Sequence, residues 1–122
     1  FAKKYSDKKI NINNSLVLPP LKELIEFDEE KFRKKFAGTP IRRLGYVRFL
    51  RNTLIAIGNS RDRSLISATI RRLDHSNVLV RGMAVWALFK LSTNHFIKEK
   101  QKRFYIEQDH NVKNEWKLGS LQ

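Results

Sequence analysis

Four arginines, Arg42, Arg43, Arg48 and Arg51, fall within ten residues of this 122-residue chain. A guanidinium is planar, stays charged and offers a fork of donors that matches phosphate in a bidentate way. The group belongs to a longer basic run. Nine Lys and Arg residues lie between Lys31 and Arg61, and no Asp or Glu interrupts them. Lys34 and Lys35 are the weaker members of the candidate set, because an ammonium binds phosphate as a point charge. The chemistry expected of such a cluster is recognition of a polyanion backbone, in which each neutralised phosphate adds to the salt dependence of binding. No exposed aromatic is interleaved with these arginines, since Tyr46 and Phe49 fall on an apolar stripe. Shape and backbone recognition of a folded RNA fits better than stacking on single-stranded bases.

Other constellations carry less. His75, His95 and His110 are far apart in the sequence and have no carboxylate or thiol at ligand spacing, so they read as turn or surface histidines. No nucleophile elbow, phosphate-binding glycine loop or paired-carboxylate signature occurs. Glu29 and Glu30 sit where a helix should start, and favourable interaction with its dipole explains them. Trp86 is at core spacing; Trp116 is assigned no role. The chain has no cysteine, which excludes disulfides and cysteine-ligated iron–sulfur or zinc sites within it. The formal charge of +13 implies a polyanionic partner. No apolar run approaches the roughly 18 residues that span a bilayer, so no membrane association is expected.

These residues must be positioned by helices, because no segment alternates with period two. Pro19 and Pro20 start a short helix over residues 21–27. Asp28 caps a second, reaching about residue 37, with Phe32 and Phe36 inward and Gly38 as its left-handed stop. Thr39-Pro40 repeats the start signal for a turn over 41–44 that ends at Gly45. The next helix is expected over 46–57, with Tyr46, Phe49, Leu50, Thr53, Leu54 and Ile57 inward, Arg48, Arg51 and Asn52 toward the other side, and Gly58 and Asn59 closing it. Asp62 caps a helix over 63–73. Residues 78–91 are apolar on nearly all sides and should lie centrally. Ser92, Thr93 and Asn94 break that helix. An amphipathic helix follows over 96–108, with Phe96, Ile97, Phe104 and Tyr105 as its apolar residues, then a short one over 112–118. The fold class is all-α, with short antiparallel helices. Residues 1–18 read as an extended connector and 19–122 as one helical domain. The stretch DHSNVLVRGMAVWAL, residues 74–88, resembles the turn and second helix of a HEAT repeat, in which Asp74 and Arg81 would tie the turn down.

The stretch FAGTPIRRLGYVRFLRN, residues 36–52, running on to Ile57-Gly58-Asn59, strongly resembles the C-terminal region of the epoxyqueuosine reductases. The preceding acidic-then-basic helix over 21–36 and the later Val80-Arg81, Ala84, Trp86, Ala87 and Leu88 also match, so the resemblance covers roughly residues 1–91. It implies a cytoplasmic parent oxidoreductase that converts epoxyqueuosine to queuosine at the tRNA wobble position. Such an enzyme uses cobalamin and two 4Fe–4S clusters, held upstream of this piece. The chain would then be a fragment, its residues 1–18 leading from a missing iron–sulfur domain. It would carry no catalytic, cofactor or metal residue of its own. Its role would be to hold the anticodon region of tRNA, as a monomer, through Arg42, Arg43, Arg48, Arg51, Lys34 and Lys35. A free-standing HEAT-like protein-interaction module is the alternative; that would need an exposed apolar groove. A HEAT-like alkylpurine glycosylase would need a catalytic carboxylate beside exposed aromatics, and the sequence offers no such set.

Overall fold

The computed structural model describes residues 18–120. The connector expected over residues 1–18 lies, apart from Leu18, outside the described residues. The described residues form eight α-helices and one 3-10 turn, with no strand among them. In chain order the helices are α1 (Leu21–Leu24), α2 (Glu29–Lys35), α3 (Pro40–Leu44), α4 (Tyr46–Ser60), α5 (Ile66–Arg72), α6 (Val78–Leu91), α7 (Thr93–Arg103) and α8 (His110–Ser120). The 3-10 turn Arg63–Leu65 leads into α5. The all-α expectation is borne out.

Most helix starts follow from local chemistry. Asp28 accepts the N–H of Lys31 at 2.8 Å, and Asp62 accepts that of Ser64 at 3.0 Å. Asn77 does the same for α6, accepting from Leu79 at 2.8 Å. Gly38 and Gly45 adopt φ of 76° and 92°, where a side chain would be strained. Thr39 departs from the expected cap. Its hydroxyl donates backwards to the Phe36 carbonyl at 2.7 Å, closing α2 instead of opening α3.

Helix α6 is the hub. Val80, Ala84, Val85, Ala87, Leu88 and Leu91 are buried on it, and α4, α5, α7 and α8 all pack against it. On one side, Phe27, Phe32, Phe36, Tyr46 and Phe49 join α1 and α2 to α4 through ring centroids 4.9–6.4 Å apart. On another, Phe89 and Trp116 each lie 5.2 Å from Phe96. Trp116, unassigned from sequence, is a fully buried core residue that seats α8.

Several sequence expectations are corrected. Gly58 and Asn59 do not close α4, which continues to Ser60 and stops at Arg61 in the left-handed region at φ 59°. Gly58 instead lets Trp86 approach: a Cβ there would stand 2.4 Å from the Trp86 ring. Ser92 ends α6 and caps α7 in one step, accepting the N–H of His95 at 3.2 Å, so α7 begins at Thr93 and not at Phe96. It also ends at Arg103, short of 108. Ile97 is exposed on α7, and Tyr105 is exposed because the chain leaves the helix before it can turn inward.

The turn over 74–77 is tied down by Arg81, as expected, through the carbonyls of His75 at 3.0 Å and Ser76 at 3.2 Å. Asp74 pairs with Arg103 and not with Arg81. Arg81 also grips Glu107 with two hydrogen bonds, at 3.0 and 2.8 Å. Burial would raise the Glu107 carboxyl, but hydrogen bonds from Arg81 and the Asp109 N–H outweigh it and hold the pKa below the usual range.

Gly58→Ala should gain helix propensity of up to about 1 kcal/mol, yet the clash with Trp86 should dominate and cost about 1–3 kcal/mol net. Urea unfolding measures the sign. His75 accepts the Asn77 N–H on Nδ1 at 3.0 Å, and burial, with the Arg72 and Arg81 charges, lowers its pKa. The unfolded chain therefore takes up the proton first. The His75 contribution should be complete above about pH 6.5 and be lost below it. The urea midpoint should fall between pH 7.5 and 5.5, and fall less in His75→Asn, which keeps an acceptor.

Candidate nucleic-acid interface

The candidate cations are carried by α2, α3 and α4. Lys34 and Lys35 lie in the last turn of α2, Arg42 and Arg43 in the last turn of α3, and Arg48 in the first turn of α4. All five are exposed. Gly45 alone joins α3 to α4, so Arg42, Arg43 and Arg48 flank one corner of the backbone. Gly45 also starts α4 without a side-chain cap, which leaves first-turn N–H groups open beside these guanidiniums.

Partners separate the arginines into two groups. Arg72 donates to the carbonyls of Ile25 at 2.8 Å and Phe27 at 3.0 Å, closing the turn after α1. Arg63 donates to the Leu91 carbonyl at the end of α6 at 3.2 Å. Arg33, Arg71, Arg81 and Arg103 are in ion pairs. By contrast, Arg42, Arg43, Arg48 and Arg51 have no hydrogen-bond or ion-pair partner among the described residues. Lys34 lies 3.7 Å from Glu30, with both side chains almost fully exposed. Such a pair contributes little and yields readily to a phosphate. Lys35 has no ion pair among the described residues.

Arg51 differs from the others. It is half-buried and stands at the edge of a groove between α4, α6 and α8. Ile55, Leu79, Met83 and Trp86 contribute apolar surface, Glu115 lines the same groove, and the volume is about 470 Å³. The 3.6-residue period puts Arg48, Arg51 and Ile55 on one side of α4, but only the contacts with α6 and α8 make that side a groove. Burial raises the Glu115 carboxyl, with no cation acting against it.

The two groups should behave differently on truncation. Arg72→Ala leaves the Ile25 carbonyl without its donor and the Phe27 carbonyl with the Tyr46 hydroxyl alone, and should cost about 1–3 kcal/mol. Arg42→Ala and Arg43→Ala should each stay within about 0.5 kcal/mol of the parent. Thermal and urea unfolding of the three variants measures this.

No family model matches the chain, and no solved structure does. Among curated proteins, the epoxyqueuosine reductase of Xanthomonas campestris is 33% identical over 89 residues, which is 72% of this chain and 25% of that protein. The epoxyqueuosine reductase of Escherichia coli K12 is 39% identical over 71 residues, 57% of this chain and 18% of that one. A Geobacillus stearothermophilus protein described as an uncharacterized protein in the gldA 3′ region is 31% identical over 98 residues, 80% of this chain and 45% of that protein. The chain thus spans a quarter or less of these reductases and under half of the Geobacillus protein. The resemblance carried by residues 36–59 is borne out: over more than half of its length, this chain is similar to part of the epoxyqueuosine reductases.

Proposed function

We propose that this chain is the tRNA-holding, HEAT-like C-terminal domain of an epoxyqueuosine reductase, a cytoplasmic oxidoreductase acting on the wobble nucleoside of the anticodon. The observation that carries the reading is the group of four arginines without a protein partner among the described residues, in a stretch similar to those reductases. An arginine that stabilises a fold spends its donors on carbonyls or carboxylates, as Arg63, Arg72, Arg81 and Arg103 do. Arg42, Arg43, Arg48 and Arg51 keep theirs for a ligand, and in a chain of charge +13 that ligand is a polyanion.

The domain's work is positioning. Guanidiniums set along α3 and the first half of α4 clamp backbone phosphates and fix the register of a folded RNA. The redox step lies elsewhere in the whole protein, where cobalamin and two 4Fe–4S clusters would supply it. This chain has no cysteine thiolate for cluster iron, and its described residues contain no group of three His, Asp or Glu able to hold a metal ion.

A second reading, a protein-interaction module, is favoured by the apolar groove beside Arg51. The two separate by experiment in the full-length protein. Arg42→Ala/Arg43→Ala should weaken tRNA binding and reduce the slope of log K against log salt by about 2. Leu79→Asp, in the groove, should leave that binding unchanged. An unaltered slope and affinity for the arginine variant removes these residues from the interface. Loss of activity with Leu79→Asp alone moves the function to the groove.

A further inference from the structure

Helices α4, α6 and α8 leave an open groove that the core does not fill. Ile55 on α4 and Leu79, Met83 and Trp86 on α6 supply its apolar wall, within a volume of about 470 Å³. Leu79 is 52% exposed and its neighbour Val78 38%. Trp86 is already held in place as part of this wall. Its ring rests on Gly58, and the Lys90 ammonium lies 5.8 Å from its centroid. A preformed wall loses little side-chain freedom when it is covered.

The shape suits a helix. The wall runs from Arg51 to Asn59 on α4 and from Val78 to Trp86 on α6, about two turns of each, or roughly 12 Å. An extended peptide would lay unpaired N–H and C=O groups on apolar side chains, and no strand edge among the described residues could pair them. A helix satisfies its own backbone and presents apolar side chains at i, i+3, i+4 and i+7.

The charge requirement comes from Arg51. It is half-buried at the edge of the groove and has no hydrogen-bond or ion-pair partner among the described residues. Glu115 lines the same groove but feels no cation, so it does not neutralise Arg51. A wholly apolar occupant would shut an unpaired guanidinium away from water, which is strongly unfavourable. A carboxylate at that edge gains a bidentate pair instead. A second copy of this chain fits less well, since two bodies of charge +13 repel.

We infer that the groove receives a short amphipathic helix of a partner protein, its apolar face on Ile55, Leu79, Met83 and Trp86 and an Asp or Glu paired with Arg51. Of the four arginines without a protein partner, Arg51 then serves the groove and Arg42, Arg43 and Arg48 the RNA. The inference does not depend on RNA binding at those three.

The test uses the full-length protein and fluorescein-labelled helical peptides of about 12 residues, read by anisotropy. One carries leucine at i, i+3, i+4 and i+7 with glutamate beside them, the second has lysine for glutamate, and the third is a scrambled form of the first. The glutamate peptide should bind best. Leu79→Asp, at a half-exposed position, should weaken it about tenfold or more, and Arg51→Ala roughly 10- to 150-fold. Arg51→Glu should raise the affinity of the lysine peptide while lowering that of the glutamate peptide. No binding of the glutamate peptide overturns the inference, as does equal binding of the scrambled or the lysine form. So does self-association that Leu79→Asp abolishes, which puts a second copy in the groove, and so does loss of tRNA binding in Leu79→Asp, which puts RNA there. Arg42→Ala/Arg43→Ala separates the two proposals. If it weakens tRNA binding while the glutamate peptide never binds, the groove assignment falls alone. If the peptide binds as expected and tRNA binding is unaltered by the arginine changes, the RNA reading falls alone.

Discussion

Helix α6 has to be covered over most of its surface, and the fold is the way this chain does it. A helix carrying Val80, Ala84, Val85, Ala87, Leu88 and Leu91 must bury those residues, and its Leu79, Met83 and Trp86 side opens on the groove. Leaving it half-covered would expose apolar surface at about 25 cal/mol per Å². Four helices pack on it, and three of them do so through a visible adjustment. Gly58 gives up its side chain so that α4 can meet the Trp86 ring. Ser92 turns the chain at once, so that α7 starts one residue after α6 ends. Trp116 seats α8 by burying a whole indole against Phe96.

Arginine does two kinds of work in this molecule, and the division follows the geometry of the backbone. Turns and helix ends present carbonyls with no intrahelical donor. Arg63, Arg72 and Arg81 reach such carbonyls at the end of α6, after α1 and in the 74–77 turn. Around Gly45 no carboxylate and no stranded carbonyl engages Arg42, Arg43 or Arg48 among the described residues. The charge concentrated there is uncompensated among the described residues.

Local punctuation made much of the α2–α4 stretch legible. Asp28, Gly38, Pro40 and Gly45 act within one turn of their own positions, and the structure places helix boundaries where they predict them. The bounds of α6 were equally readable, since an apolar segment between the 74–77 turn and the Ser92-Thr93-Asn94 break leaves few alternatives. Gly58 reads as a stop from sequence because a glycine near a helix end usually marks one. Its real reason is a ring 28 residues away in sequence, and no local signal carries that. From sequence Tyr105 reads as an apolar helix residue, because the mixed-charge pattern runs on past Arg103. The chain leaves the helix there as Arg81 draws Glu107 toward the 74–77 turn.

By itself, the sequence determined the all-α class, the central helix, the basic stretch and the likeness to the epoxyqueuosine reductases, because all four are properties of residue type and short-range spacing. Only the tertiary structure decided which cations are free. A side chain's donors are committed by whatever backbone or carboxylate the fold brings within about 3 Å, and those partners come from distant segments, as with Arg72 and Phe27 or Arg81 and Glu107. For the same reason, it took the packing of α4 and α8 against α6 to set Arg51 on a groove.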